Sequence, residues 1–238
     1  PVPSAENRNT SFYDKYAESG NTEALYGASL IHMAIYAYPG AKNWMGAGAG
    51  SCVIVRYLDK IGLNSFGSEF SEYNVAKYCD DLRSRGRVVQ SSIAQTPFQN
   101  HSFDVVTSFE VLEHIPEVDI PDSCERLARL SKGPLFLTIS QRLSKLDDRE
   151  NPTVHVTVKP REYWDRQFAA VGCTPDFYQL KLLLRYYPSY CKPNFTWKMG
   201  ISNCAMKGQT SLLEKEPWFF IYKCNGDSTF FGTTEKKC

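Results

Sequence analysis

Apolar and polar positions along the 238-residue chain alternate between two periods, and the change of period marks the elements. Short unbroken or two-residue patterns read as strands, and three-to-four-residue spacings read as helices. From about Ser11 to Tyr38 the spacing of Leu25, Leu30, Ile31, Ala34 and Ile35 predicts helix, with Thr22 as N-cap and Pro39-Gly40 as its stop. Asn43 to Met45 reads as a short strand, and Ser51 to Ile61 as a helix. A second strand ends at Glu69, a helix covers Glu72 to Arg85, and Arg87 to Gln90 is a third strand. Phe103 to Phe109 and Leu135 to Ser140 are apolar runs of the kind that central parallel strands show. Between them lies a helix over Asp122 to Leu130. The polar stretch Gln141 to Pro152 reads as a loop. In Thr153 to Val158 the valines point one way, and Thr153, His155 and Thr157 point the other, away from the core. A helix over Pro160 to Val171, a sixth strand with its approach over Cys173 to Leu184, and a last strand over Pro217 to Cys224 complete the pattern.

The alternation predicts an α/β fold: a Rossmann-like, doubly wound, mostly parallel seven-stranded sheet with helices on both faces. It divides the chain into an N-terminal helical segment (1–40), one domain (41–224) interrupted by an irregular insertion at about 185–211, and a polar tail (225–238).

Two stretches stand out within that frame. Gly46, Gly48 and Gly50 punctuate a turn between the first strand and its helix. Glycines there let the backbone turn tightly and let a ligand approach it. Glu69 follows about 20 residues later, where a dinucleotide-binding unit places a carboxylate for ribose hydroxyls. The second stretch is FDVVTSFEVLEHI, Phe103 to Ile115. Glu110, Glu113 and His114 stand at i, i+3 and i+4, so one helical turn would put all three on one face, at the carboxyl end of a strand.

Composition narrows the reading only a little. The chain is 42% hydrophobic and 13% aromatic, enough for a real core. Its 27 Lys and Arg balance 26 Asp and Glu, which does not suggest a face for long nucleic acid. No run of about 18 apolar residues suggests a membrane span. The eight cysteines have no C-x-x-C pair. Cys52, Cys79, Cys124 and Cys173 read as buried thiols, while the later Cys191, Cys204, Cys224 and Cys238 leave disulfides open. N-x-S/T sequons occur at Asn9, Asn100 and Asn194. A cytoplasmic location is the expectation, with the lumen of the secretory pathway as the alternative.

From about Lys42 to Gly172 the chain resembles a class I S-adenosylmethionine-dependent methyltransferase. GAGAG resembles that family's first motif, and TPFQNHSFDVVTSFEVLEHI resembles its stretch from the adenine-binding loop through the fourth strand. The resemblance implies S-adenosylmethionine as cosubstrate, bound by Gly46, Ala47, Gly48, Gly50, Glu69, Ser92, Ile93, Ala94 and Phe109. Trp44 and Ser92 stand where the family usually carries acids, which removes two polar contacts. E-x-x-E-H followed by a later histidine is similar to metal-assisted O-methyltransferases. That implies Glu110, Glu113, His114 and His155 as ligands of Mg or Mn, with Zn a lesser alternative, and His114, His155 and Glu113 as the catalytic set. Without a metal, His114 or His155 would serve as general base.

The expected reaction is O-methylation of a small hydroxylated acceptor, a sugar or catechol-like diol. Methylation of an RNA 3′-terminal 2′-hydroxyl is an alternative, raised by the cations and aromatics of the 185–211 insertion. A non-catalytic binding protein on the same fold is another, as is a nicotinamide oxidoreductase, disfavoured because Ser51 replaces a third glycine.

Overall fold

The computed structural model describes residue 14 and residues 28–144, 154–186 and 219–224. The loose end at 1–9, the Thr22 cap, most of the 185–211 insertion, the tail, and the sequons at Asn9 and Asn194 lie outside the described residues.

A seven-stranded sheet has the order β3-β2-β1-β4-β5-β7-β6. Its strands are β1 (Asn43–Ala47), β2 (Asn64–Glu69), β3 (Val88–Gln90), β4 (Val105–Phe109), β5 (Pro134–Thr138), β6 (Cys173–Pro175) and β7 (Phe219–Cys224). The first five pair in parallel, and β7 runs antiparallel between β5 and β6. The helices are α1 (Ala28–Ala37), α2 (Val53–Lys60), α3 (Glu72–Tyr78), α4 (Asp80–Ser84), α5 (Ile120–Leu130), α6 (Arg161–Ala170) and α7 (Phe177–Tyr186).

Period-two alternation along the central strands builds the two faces. Met45, Val106, Leu135, Leu137, Phe220 and Tyr222 pack with Leu127 of α5 and with Trp164 and Phe168 of α6. Their neighbours Trp44, Val105, Phe136 and Ile221 pack on the other side with Leu30, Ile31 and Ala34 of α1, Leu58 of α2, and Leu180 and Leu183 of α7. Burying both faces is what allows near-continuous apolar strands. The polar residues within β4 are accommodated by β1: Thr107 Oγ1 donates to the Met45 carbonyl (3.1 Å) and Ser108 Oγ to that of Ala47 (2.9 Å). Asp104 fixes the start of β4, accepting from the Lys42 and Asn43 amides (2.8 and 2.9 Å) and from Lys132 Nζ (2.7 Å).

Four expectations are corrected. The helix over Glu72 to Arg85 is two short ones, because Cys79 breaks it. Residues 176–184 are not strand; α7 begins at Phe177, with Asp176 Oδ1 accepting from the Gln179 amide. Residues 154–158 form no strand either: Val154 and Thr157 are the buried pair, and the amides of Val156 and Thr157 both donate to the Glu113 carbonyl (2.8 and 3.0 Å). The local alternation is overridden because this segment docks on the turn after β4 rather than on a strand. Finally, Cys52, Cys79 and Cys173 are not thiols. Cys52 bonds Cys79, and Cys173 bonds Cys224, its registered neighbour across β6 and β7. Cys124 is the free cysteine of the described residues, buried, with its thiol pushed up to about 12 by burial.

Candidate active site

The chain leaves β3 at one edge and returns to β4 beside β1, so a crevice opens at the carboxyl ends of β1 and β4. A cavity of about 960 Å³ lies there. Gly46, Ala47, Gly48, Gly50, Glu69, Ser92, Ile93, Ala94 and Phe109 all line it, together with Glu110, His114 and His155.

The glycine turn explains its own composition. Gly48 has φ +75°, and a Cβ on it would come within 2.5 Å of the Val111 side chain. The turn therefore folds directly onto Val111, two residues past β4, a contact open to glycine alone. The Gly48 and Ala49 amides both donate to the Ser68 carbonyl (2.9 and 2.8 Å). Cys52 ends the turn at φ +58° and is bonded to Cys79. Trp44 does not face the cavity; it is core, its Nε1 donating to the Ala41 carbonyl.

Glu69 is 8% exposed and holds the turn in place. Its Oε2 accepts from the Gly50 amide (2.7 Å), and its Oε1 from the Ser71 amide (2.9 Å) and Asn74 Nδ2 (3.4 Å). Burial raises its pKa and these donors pull it back. The α3 cap is Ser71, whose Oγ accepts from the Asn74 amide and donates to Asp14 Oδ1.

The E-x-x-E-H stretch is not one α-helical turn. Glu110 follows β4 at φ +54°, its amide donating to the carbonyl and hydroxyl of Thr138 (3.0 and 3.1 Å). A left-handed non-glycine residue is costly and persists only where its surroundings over-determine it. Leu112–His114 then form a single 3-10 turn. Glu113, His114 and His155 converge, each offering a ligand atom within 4.8 Å of the others. Glu110 is not part of that group; its carboxyl lies against Glu113.

Glu113 is 0% exposed. Its Oε1 accepts from the Ser140 amide (3.0 Å), while Oε2 has no hydrogen-bond partner among the described residues. Burial, and then the Glu110 carboxylate beside it, push the Glu113 carboxyl well above the usual range. The imidazole rings of His114 and His155 stand nearly perpendicular, 4.8 Å between centroids. His114 Nδ1 is 2.8 Å from the Val154 carbonyl, and His155 Nδ1 is 2.7 Å from that of Arg142. A carbonyl can only accept, so each Nδ1 carries the proton and each Nε2 the lone pair, the usual outer support of a histidine metal ligand. An orphaned buried carboxylate oxygen beside two such nitrogens fits a divalent cation.

These backbone supports were invisible in the sequence. Carbonyls of Val154 and Arg142 and the amide of Ser140 have no residue-type signal, although Thr138 and Ser140, polar at the end of an apolar strand, hinted at it.

Residues 45–133 match the family model of the methyltransferase domain. Over 101 residues, 40% of this chain, it is 31% identical to the ubiquinone biosynthesis O-methyltransferase of Methylococcus capsulatus; the match spans 43% of that relative. Two solved structures share the fold. The [4+2]-cyclase SpnF is 15% identical, with a TM-score of 0.55 over 90% of this chain and 94% of that one. The phosphoethanolamine N-methyltransferase 2 of Haemonchus contortus, in complex with phosphomonomethylethanolamine and S-adenosylhomocysteine, is 17% identical, with a TM-score of 0.53 over 92% of this chain and 58% of that one. The chain therefore carries, over residues 45–133, a segment that matches a methyltransferase domain, on a fold shared with a solved N-methyltransferase.

Proposed function

We propose that this chain transfers the methyl group of S-adenosylmethionine to an oxygen of a small hydroxylated acceptor bearing a vicinal diol, with a divalent ion held by Glu113, His114 and His155. The observation that carries the reading is the convergence of those three side chains: His114 and His155 line the cavity that the glycine turn also lines, and Glu113 lies buried behind them with one carboxylate oxygen unpartnered among the described residues. The O-methyltransferase relative supports oxygen as the acceptor atom.

The residues divide the task. The glycine turn and Glu69 receive the cosubstrate, with Ile93 and Ala94 along the adenine and Phe109 toward the methionine end. His114 and His155 are held by main-chain carbonyls, which fixes ring orientation before any ligand arrives. A bound divalent ion would lower the pKa of a coordinated hydroxyl and orient it. Glu110, whose carboxyl lies against Glu113, is a positioning residue. With Glu110 outside the donor set, two nitrogens and one carboxylate remain, which favours Mn or Zn over Mg.

Calorimetric titration with S-adenosylhomocysteine, with and without EDTA, together with metal analysis and a screen of diols, tests this. Nucleoside binding plus a stoichiometric ion and metal-dependent turnover is the expected result. Binding without an ion moves the chemistry to His114 or His155 as base. No binding refutes the catalytic reading in favour of a non-catalytic protein, and the shared fold of a cyclase shows that the architecture alone does not fix the reaction.

A further inference from the structure

We propose that Asn100 is an N-glycan acceptor on a chain that acquires its disulfides in an oxidising compartment. The sequence from residue 100 is Asn-His-Ser, a sequon without proline. The structure places it on an exposed turn before β4. His101 sits at φ +51°, and Ser102 Oγ donates to the Gln99 carbonyl (2.7 Å), which closes the turn. The turn docks on the end of α5, His101 N donating to the Arg129 carbonyl. Asn100 itself contributes one contact, its Oδ1 accepting from Arg126 (2.6 Å). Its Nδ2, the atom that takes a glycan, makes no hydrogen bond among the described residues. The acceptor is therefore reachable and its modification displaces nothing buried.

The second, independent observation is the state of the cysteines. Cys52–Cys79 and Cys173–Cys224 are closed, over sequence separations of 27 and 51, and the described cysteine left over is buried. Paired structural disulfides with no exposed thiol among the described residues are the pattern of chains that fold outside the reducing cytosol. On this proposal the lumenal alternative takes precedence over the cytoplasmic expectation, and N-glycosylation occurs in that same compartment.

Each disulfide forms as two thiols give up two protons and two electrons to an oxidised disulfide carrier. Glycosylation breaks the bond between the first sugar carbon and the diphosphate of a lipid-linked oligosaccharide. It forms the bond from that carbon to Asn100 Nδ2, whose lost proton leaves with the lipid diphosphate.

The test is peptide mapping of the full chain from its native cells, alkylated without reduction, before and after peptide N-glycosidase treatment in heavy-oxygen water. A heavy-oxygen mass label at Asn100 in the treated sample alone, with both cysteine pairs recovered linked, is the expected result. Unlabelled Asn100 overturns the glycan assignment, and alkylated Cys52, Cys79, Cys173 and Cys224 overturn the compartment. Translation with endoplasmic reticulum membranes separates Asn100 from the other sequons: Asn100→Gln and Ser102→Ala each lose one glycan step on a gel, and Ser102→Thr keeps it. Retention of that step in Ser102→Ala refutes the proposal. Failure here leaves the methyltransferase reading untouched, since none of these readouts measures transfer.

Discussion

The two disulfides are nearly equal staples by chain entropy, yet only one of them adjoins the glycine turn that lines the cavity. With sequence separations of 27 and 51, the loop-closure relation gives about 3.5 kcal/mol for Cys52–Cys79 and about 4 kcal/mol for Cys173–Cys224. Replacing either pair by alanine should therefore lower the thermal midpoint by a similar amount, roughly 8–15 °C for a domain of this size. The cosubstrate should tell them apart. Cys52 closes a turn in which Gly48, Gly50 and Cys52 all have positive φ, and Cys79 ties that turn to the end of α3. Cys173 and Cys224 join β6 to β7 at the far edge of the sheet. Releasing the turn makes nucleoside binding bear the ordering of about one residue, about 1–2 kcal/mol, so the Kd should rise by roughly 5–30-fold. Cys52→Ala/Cys79→Ala should show both effects, and Cys173→Ala/Cys224→Ala only the first. Denaturation scans and titration with S-adenosylhomocysteine measure them. Equal changes of Kd in the two variants would refute the argument that the first disulfide preorganises the site.

Three more outcomes follow from single contacts. Glu113→Ala and His114→Ala should abolish transfer while leaving the Kd for S-adenosylhomocysteine within about twofold, whereas Glu69→Ala should raise that Kd by about tenfold or more, because it frees the Gly50 amide. Gly48→Ala should destabilise the fold by about 1–3 kcal/mol and abolish nucleoside binding, since its Cβ would strike Val111 at a positive φ; normal binding by titration would show that the turn is not where the ligand sits. At Asp104 burial raises the pKa, but Lys132 and the amides of Asn43 and Lys42 outweigh it, so the folded pKa lies below the ordinary aspartate value. Its stabilisation is present above that value and lost as pH falls through the lower folded pKa; Asp104→Asn should cost about 2 kcal/mol at neutral pH and flatten the acid limb of urea melts.

The sheet was legible because its signals are local: apolar runs at β4 and β5, glycines after β1, and Glu69 at the end of β2. Legibility failed where tertiary contacts override a local pattern. Residues 154–158 alternate like a strand, but both amides that a strand neighbour would use are taken by the Glu113 carbonyl. Residues 177–184 carry a run of leucines that suits strand or helix equally, and Asp176 decides by capping. Cysteine spacing alone cannot give connectivity: β7 lies beside β6 only after the chain has returned from a distant segment, so Cys173 meets Cys224 across 51 residues. At the site, four candidate ligands were visible as residue types, but the left-handed backbone that turns Glu110 out of the set was not.

Two buried carboxylates, Glu69 and Glu113, differ in their surroundings. Glu69 is surrounded by donors, the amides of Gly50 and Ser71 and the Asn74 side chain, so its charge is compensated by the chain itself. Glu113 is more deeply buried, receives one amide on Oε1, faces another carboxyl, and keeps Oε2 without a partner. A group so placed stabilises nothing in the metal-free protein, because an unsatisfied buried acceptor costs about 1–3 kcal/mol. Its folded pKa is raised, so the folded state holds a proton that the unfolded state has released. Stability of the metal-free chain should accordingly fall as pH rises above the ordinary carboxylate range toward that raised value. Glu113→Gln keeps an acceptor for the Ser140 amide and offers an N–H to Glu110. In EDTA it should unfold about 1 kcal/mol later than the parent chain, with the gain growing as pH rises, while Glu69→Gln should unfold earlier at every pH. Added Mn or Zn should raise the melting temperature of the parent and leave Glu113→Gln unmoved. If Glu113→Gln were destabilised like Glu69→Gln, and the ion stabilised neither chain, Glu113 would be a structural carboxyl and its convergence with His114 and His155 would hold no cation.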